Sequence, residues 1–414
     1  MNPSDNSKRL LSAHCLALNQ GEVRNIFWLA ALLLTACTGV DDASTSPKEG
    51  YFKVGSIHAD ADFDGARLNK LEQIDDAIYR VTISPEALPV NNSPWYAFRL
   101  WSDDNLNIEL EIAYTDSFKN RYLPKRSKDG EVWQTIDSSL LSTDTTTGIL
   151  TINLELGPEK LWIAAQENLN TPYIENWIDQ LAERPTVEKA EIGNSVLGHP
   201  LLALTVAEGR PEQALFIVGR QHPPEVPGGT ISLMNFVEEV LGESELATQF
   251  RERFAVYMVS LANPDGVSMG HWRHNANGVD LNRDWIDFTQ PETQLIRDWM
   301  LSRPHGSYNQ GARFGIDFHT SYSGPYLLTL DTIPHRVSPQ RTNQWIASIE
   351  SQLQEELDIR PRSQDFPYCY NWFINQLGVE AVTYEEGDEK PRSEIRERAR
   401  LYARILMEVL LSND

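Results

Sequence analysis

Between Ile174 and Leu411 short apolar runs alternate with stretches of helical spacing, and that alternation restricts the fold more than any other feature of the chain. Leu201 to Val206, Leu215 to Val218, Phe254 to Leu261, Phe314 to Phe318 and Val379 to Tyr384 read as strands. Ile174 to Leu181, Gly229 to Leu241, Glu292 to Leu301, Trp345 to Leu357 and Ile395 to Leu411 read as helices. The first two strands are expected to lie side by side. Strands and helices in this order predict an α/β sandwich around a mixed sheet, with functional groups beyond the strand ends.

The chain before Tyr173 has a different texture. Alternation in Tyr79 to Ile83, Trp95 to Trp101, Ile108 to Tyr114 and Ile149 to Leu154, with turn signals at Asp64-Gly65 and Asp129-Gly130, predicts a small antiparallel β-sandwich with Trp162-Ile163-Ala164 as a further strand. Its aromatic residues are expected to fill its core rather than form a ligand platform. Residues 37–50, rich in Ser, Thr, Asp and Pro, read as a tether. The expected organisation is a signal peptide over 1–36, the linker over 37–50, a β-sandwich domain over 51–172 and the α/β domain over 173–414.

Ile26 to Ala36 is too short for a bilayer span of about 20 residues and suits a signal-peptide core. It ends in Leu34-Thr35-Ala36-Cys37, which resembles the lipobox of bacterial lipoproteins and implies lipidation of Cys37. Thr38, standing where Asp would direct retention at the inner membrane, leans toward the outer membrane. The protein is thus expected in the cell envelope, facing the periplasm and touching the membrane through its lipid anchor alone. Once the leader is removed Cys369 is the only other cysteine, so no intramolecular disulfide is expected. Thirty-six Lys plus Arg against 59 Asp plus Glu give a formal charge of -23, which argues against nucleic acid as a partner.

The residues that carry chemistry are dispersed. His222-Pro-Pro-Glu225 follows a strand that ends at Gly219-Arg220, and His319 follows the apolar run Phe314 to Phe318. Two imidazoles and one carboxylate suit a single Zn²⁺ with a position left open. The pair at three-residue spacing is weak evidence alone, because a turn histidine beside a solvated glutamate has the same spelling. Its context adds weight. Asn263-Pro-Asp-Gly266 reads as a turn, followed by Arg273 and by Gly278-Val-Asp-Leu-Asn-Arg283. With Val279 and Leu281 anchored on one face, Asp280 and Asn282 project from the other. Asp280 is then suited to accept the non-ligating N–H of His222, and Arg283 to pair with a substrate carboxylate. Surface ion pairing is the plainer reading of Arg273 and Arg283. Beyond Val382-Thr-Tyr384, Glu385 is the first carboxylate and the candidate general base; Glu386, which alternation turns away, is the alternative.

Together these motifs resemble the zinc carboxypeptidases, the M14 or funnelin peptidases, and within them the cytosolic-carboxypeptidase-type branch with its bacterial relatives. The resemblance covers roughly Tyr51 to Leu411. It implies one Zn²⁺ per chain held by His222, Glu225 and His319, Arg273 facing the oxyanion, Asn282 and Arg283 holding a C-terminal carboxylate, and Glu385 as general acid/base. By an approximate match Tyr370, just before Asn371-Trp372, falls in the pocket for the last side chain and implies an uncharged or apolar preference. Pro224 stands where that branch more usually has Gly. Tyr368 and Tyr370 lie closer to Glu385 than the mobile tyrosine of the pancreatic-type enzymes, so neither is assigned a catalytic role. The implied reaction is hydrolysis of the C-terminal bond of a peptide with a free carboxylate. A zinc amidase acting on cell-wall peptides or γ-linked side chains is the alternative, and a noncatalytic binding lipoprotein is a third reading.

Overall fold

The computed structural model describes residues 50–307, 311–331 and 339–412. The signal peptide, Cys37 and the tether up to residue 49 lie outside the described residues. Two sheets are built first. A six-stranded sheet runs in the order Tyr51–Val54, Ile57–Asp60, Ala97–Ser102, Leu161–Ala164, Lys125–Ser127, Gln134–Thr135. A five-stranded sheet runs Lys70–Asp75, Ile78–Ile83, Leu106–Tyr114, Leu150–Leu156, Leu141–Thr143. Alternation decides which side faces inward: Ile108, Leu110 and Ile112 are buried while Glu109 is exposed. One pair departs from the expected antiparallel pattern, since Ile78–Ile83 runs parallel to Leu106–Tyr114. The chain crosses to the other sheet as Ala97–Ser102 between them, so it re-enters the five-stranded sheet in its original direction.

Eight further strands form one mixed sheet: β1 Val187–Asn194, β2 Pro200–Val206, β3 Gln213–Gly219, β4 Phe254–Val259, β5 Ala312–Ser321, β6 Tyr326–Leu330, β7 Ile359–Arg362 and β8 Glu380–Gly387. Their spatial order is β1-β2-β4-β3-β5-β8-β6-β7. β2 and β3, expected as neighbours, are separated by β4, which pairs antiparallel with β2 and parallel with β3. β4 is buried along its whole length, and the sheet interior is the place for such a strand. Three strands have no counterpart among those expected: β1 and β7 at the two edges, and β6 beside β7, whose residues are mostly exposed or half-buried.

The central strands β4, β3, β5 and β8 all run parallel, so their C-terminal ends share one edge. Phe314, Ile316 and Phe318 of β5, with Val382 and Tyr384 of β8, pack into the core on one face under Gln340–Leu353 and Arg392–Ser412. Asp317, His319, Thr383 and Glu385 therefore turn to the opposite face, and the register sets His319 beside Glu385. Both residues lie inside their strands rather than just beyond them, because the β5–β8 ladder continues to Ser321 and Gly387.

Two contacts bring the loops onto this edge. Pro227–Ser232, which follows the His222 to Glu225 loop, packs so closely on β5 that a Cβ added at Gly228 would lie 1.6 Å from the His319 carbonyl oxygen. The Gly228 N–H donates to Thr320 Oγ1 at 2.7 Å. On the other side Trp272 inserts its indole into the core of the two-sheet sandwich, edge-on to Phe118 and Tyr114, with Nε1 donating to the Trp95 carbonyl at 3.0 Å. Gly228→Ala is expected to force β5 and the His222 loop apart, lowering stability by about 1–3 kcal/mol and zinc stoichiometry with it. Thermal melts and metal analysis of the purified variant check both.

Candidate active site

His222 and Glu225 occupy a loop that leaves β3 through Arg220, a buried residue at φ 50°. Its guanidinium is held inside the loop, donating from Nε to the Pro223 carbonyl at 2.8 Å and from Nη1 to Thr230 Oγ1. The loop turns tightly, the Glu225 N–H donating to the His222 carbonyl at 3.2 Å, and the Glu225 carboxylate stands between two imidazoles. His222 Nδ1 lies 2.7 Å from Oε1, and His319 Nδ1 lies 2.6 Å from Oε2. The donor atoms of His222, Glu225 and His319 all fall within 4.8 Å of one another.

The opposite ring nitrogens are also occupied. His222 Nε2 is 2.9 Å from Asp280 Oδ1, and His319 Nε2 is 2.9 Å from Asp317 Oδ2. Each imidazole thus has a carboxylate behind it and presents Nδ1 forward, an arrangement that orients a metal ligand and raises its basicity. Burial works against a charge on His319, but the carboxylates of Asp317 and Glu225 prevail and hold its proton well above the ordinary histidine range. Glu225 is likewise kept ionised, far below the usual carboxylate range: burial opposes this, and His222 and His319 overcome it. A compact His-Glu-His set with this demand for positive charge fits one Zn²⁺.

Asp280 serves two groups. Its Oδ1 faces His222, while Oδ2 accepts from Arg273 Nε at 2.6 Å; Arg283 Nη1 is 3.8 Å away. The segment is not the extended alternation expected from its sequence. Asp280 caps a single 3₁₀ turn, Leu281–Arg283, by accepting the Asn282 N–H at 3.0 Å. The turn buries Leu281 and presents Asn282 and Arg283 to the cleft. Asn282 Oδ1 accepts the Cys369 N–H at 2.9 Å, and the Arg283 guanidinium lies 4.6 Å from the Tyr368 ring centroid. Asn263-Pro-Asp-Gly266 opens a short helix, Pro264–Ser268, rather than a simple turn; Asn263 caps it and its Nδ2 holds the Gln221 carbonyl at 3.0 Å.

Glu385 reaches the same cleft from β8. Its Oε2 is buried without a hydrogen-bond partner among the described residues. Burial, reinforced by the carboxylates of Glu225 and Asp317, pushes its pKa up to about 8 against the pull of His319 and Arg273. An unpartnered buried carboxylate oxygen beside three metal-type donors suits a site that takes a cation. Glu386 points away and is held by Arg398 at 2.8 Å and by the Tyr384 hydroxyl at 3.0 Å.

The cleft, about 370 Å³, is mainly polar. Besides His222, Glu225, His319, Arg273, Asn282, Arg283 and Glu385, its wall includes Arg362, Tyr326, Tyr368 and the exposed Tyr322. It also includes Arg121, Asn91 and Ser93 from the β-sandwich part of the chain. Tyr370 is fully buried, does not line the cleft, and stacks 6.1 Å from Tyr368. Cys369 is buried and free, and its thiol pKa is raised by burial and then by Asp317. Asp317, Gln221 and Arg121 join the site without an expected role. Asp317 shares a strand face with His319, two residues away, so period-two alternation was a usable signal. Gln221 is buried and links Asp317 to the Trp285 indole, donating to the first at 2.8 Å and accepting from the second at 2.7 Å. Nothing local marks Arg121, which meets Asp388 across 267 positions.

Comparison with known proteins agrees with this geometry. The zinc carboxypeptidase (Peptidase M14) family model matches residues 174–368, a span that holds all three proposed ligands and ends before Glu385. An uncharacterised protein of Zymomonas mobilis is 26% identical over 66% of this chain and 70% of its own length. Human cytosolic carboxypeptidase 6 is 30% identical over 35% of this chain, and the match spans 31% of that protein's length. Among solved structures, a metallo-carboxypeptidase from Burkholderia cenocepacia shares the fold with a TM-score of 0.70 at 18% identity, over 86% of this chain and 98% of that one.

The raised pKa of Glu385 makes a prediction for the zinc-free protein. The folded state holds a proton that the unfolded chain releases above about pH 4.5, so this group's contribution to stability is lost as pH rises from there to about 8. Glu385→Gln is expected to raise the melting temperature of zinc-free protein at pH 8 by a few degrees. The gain should vanish below pH 4.5, as read by paired thermal melts across that range.

Proposed function

The chain belongs to the M14 zinc carboxypeptidase family, and on that footing we propose how its residues divide the work of a zinc-dependent metallocarboxypeptidase. His222, Glu225 and His319 would hold the ion. When bound, zinc supplies Lewis acidity, polarising the scissile carbonyl and acidifying the attacking water. Glu385 takes the proton from that water and returns it to the departing amine. Arg273 meets the charge that develops on the carbonyl oxygen. Arg283 and Asn282 hold the substrate's terminal carboxylate, which restricts cleavage to the last bond. The observation that carries this reading is Glu385 Oε2, a buried carboxylate oxygen without a hydrogen-bond partner among the described residues, in the same cleft as the His-Glu-His set.

The role given to Tyr370 is indirect, since Tyr368 intervenes as the cleft-lining ring. Arg362 and Arg121 add positive charge to a wall that already carries Arg273 and Arg283. A C-terminal Lys should therefore be the poorest of Phe, Lys and Glu. We divide the chain into a sandwich domain ending near residue 172 and a catalytic domain from Tyr173 onward.

Zinc-loaded protein incubated with mixed peptides and purified muropeptides, followed by mass spectrometry, is expected to release single C-terminal residues. Glu385→Gln should lower the rate about 10²–10⁴-fold with zinc content unchanged. Cleavage confined to muropeptides would favour the cell-wall amidase, and zinc-loaded protein with no turnover would favour a binding role.

We also read Leu34 to Cys37 as a lipidation signal, with the envelope of a bacterium as destination. No described helix is long and apolar enough to cross a membrane. Cys37→Ser should abolish incorporation of labelled fatty acid and move the protein from the membrane pellet to the supernatant; retention in the pellet without label would overturn the anchor.

A further inference from the structure

Trp272, Arg273 and His274 are consecutive, and their three backbone N–H groups all donate to the carboxylate of Glu86. The distances are 2.7 Å from Trp272 to Oε2, and 2.9 and 2.8 Å from Arg273 and His274 to Oε1. His274 Nδ1 adds a contact to Oε1 at 2.8 Å. Glu86 follows Ile78–Ile83 in the β-sandwich part, about 190 positions from the loop that it holds. It is 8% exposed. Burial alone would raise its pKa, but His274, the charge of His271 and the backbone N–H groups bring it down to about 2, so the carboxylate is ionised.

The surrounding contacts act on the same loop. Arg67, also from the sandwich part, donates Nε to the Ser84 carbonyl at 2.6 Å and Nη1 to the Gly270 carbonyl at 3.4 Å. Gly270 has φ 63°, and a Cβ there would lie 2.7 Å from the Ala66 carbonyl oxygen. The Trp272 indole is sunk in the sandwich core. Arg273 is therefore fixed at both ends, its backbone by Glu86 and its Nε by Asp280 at 2.6 Å. A guanidinium at the end of a long side chain magnifies any rotation of its backbone, and a misplacement near 1 Å can cost about 10²-fold in rate.

We propose that Glu86 is a positioning residue for Arg273: a carboxylate from the N-terminal sandwich sets the backbone from which the arginine enters the cleft, which makes the sandwich a working part of the catalytic apparatus. This rests on the reading of Arg273 as the group that meets the developing oxyanion. Glu86 itself touches no substrate. Its removal should act through Arg273 and leave the metal site and the carboxylate-binding turn in place.

The test is a double-mutant cycle in the full zinc-loaded chain with Glu86→Gln, Arg273→Ala and the pair. Glu86→Gln should lower kcat about 10-fold and leave KM within about twofold. In the Arg273→Ala background it should cost less than about twofold more. A second readout is independent of turnover: amide exchange at residues 272–274 should quicken in Glu86→Gln while zinc stoichiometry stays the same. Glu86→Asp should recover part of the rate, and it takes over the cycle if Glu86→Gln does not fold. Equal losses with and without Arg273, or unchanged exchange at those amides, would overturn the assignment. Loss of turnover in Arg273→Ala with full turnover in Glu86→Gln would overturn the role of Glu86 alone. Full turnover in Arg273→Ala would remove the reading of Arg273 and the role of Glu86 with it.

Discussion

The two oxygens of Asp280 are divided between His222 and Arg273, and most of the site is arranged around that division. A carboxylate so enclosed stays ionised only because positive groups surround it. Burial pushes its pKa up, but His222, Arg273 and Arg283 carry it well below the ordinary range. The same residue caps the turn that presents Asn282 and Arg283. One side chain thus contacts a candidate metal ligand, holds an arginine and starts the turn that lines the cleft. Glu225 has an equivalent position between His222 and His319, so the centre is a chain of shared acids and bases in which few members can move independently.

This chain of contacts continues outward into the N-terminal sheets. Arg121 pairs through two nitrogens with Asp388, at 2.7 and 3.1 Å, just past the end of the strand that carries Glu385. Lys125 reaches Glu389 at 2.8 Å, and Arg392 pairs with Glu167. Asp388 and Lys125 are almost fully buried, so breaking either pair would strand a charge in a low-dielectric seam. The Trp272 indole adds apolar burial at the same seam. The cleft is consequently walled on one side by residues that precede residue 122 and on the other by the ends of the parallel strands.

Local pattern revealed a good deal of this. The His222 to Glu225 spacing, the apolar run ahead of His319 and the strand ending near Glu385 pointed to groups that do meet in one cleft. Strand alternation separated Glu385 from Glu386 correctly, because the ladder with β5 persists past both. Asp280 stands behind His222 as its spacing suggests, although a capped 3₁₀ turn replaces an extended segment. Failures came where the partner is distant in sequence. The insertion of β4 between β2 and β3 depends on which buried strand best fills the sheet interior, and neither strand's own residues report that. Glu86 has an ordinary loop sequence, Ser84-Pro85-Glu86, and becomes informative only when three N–H groups arrive from about 190 positions away.

Residue types and their spacing were enough to establish the chemistry on offer: two imidazoles and a carboxylate suited to a cation, an acid at a strand end, arginines able to meet an anion, and periodicities that alternate between strand and helix. These are properties of single side chains and of neighbours a few residues apart, which covalent geometry keeps close whatever the rest of the chain does. Tertiary structure decided how the groups were combined. It turned Asp317 and His319 to the same face as Glu385, divided Asp280 between His222 and an arginine, buried Tyr370 behind Tyr368, and brought loops of the β-sandwich part over, with Arg121 at the cleft and Glu86 on the backbone of the Arg273 loop. Those outcomes follow from burying charge only where a partner can meet it, and the partners are supplied by segments whose proximity exists only after folding.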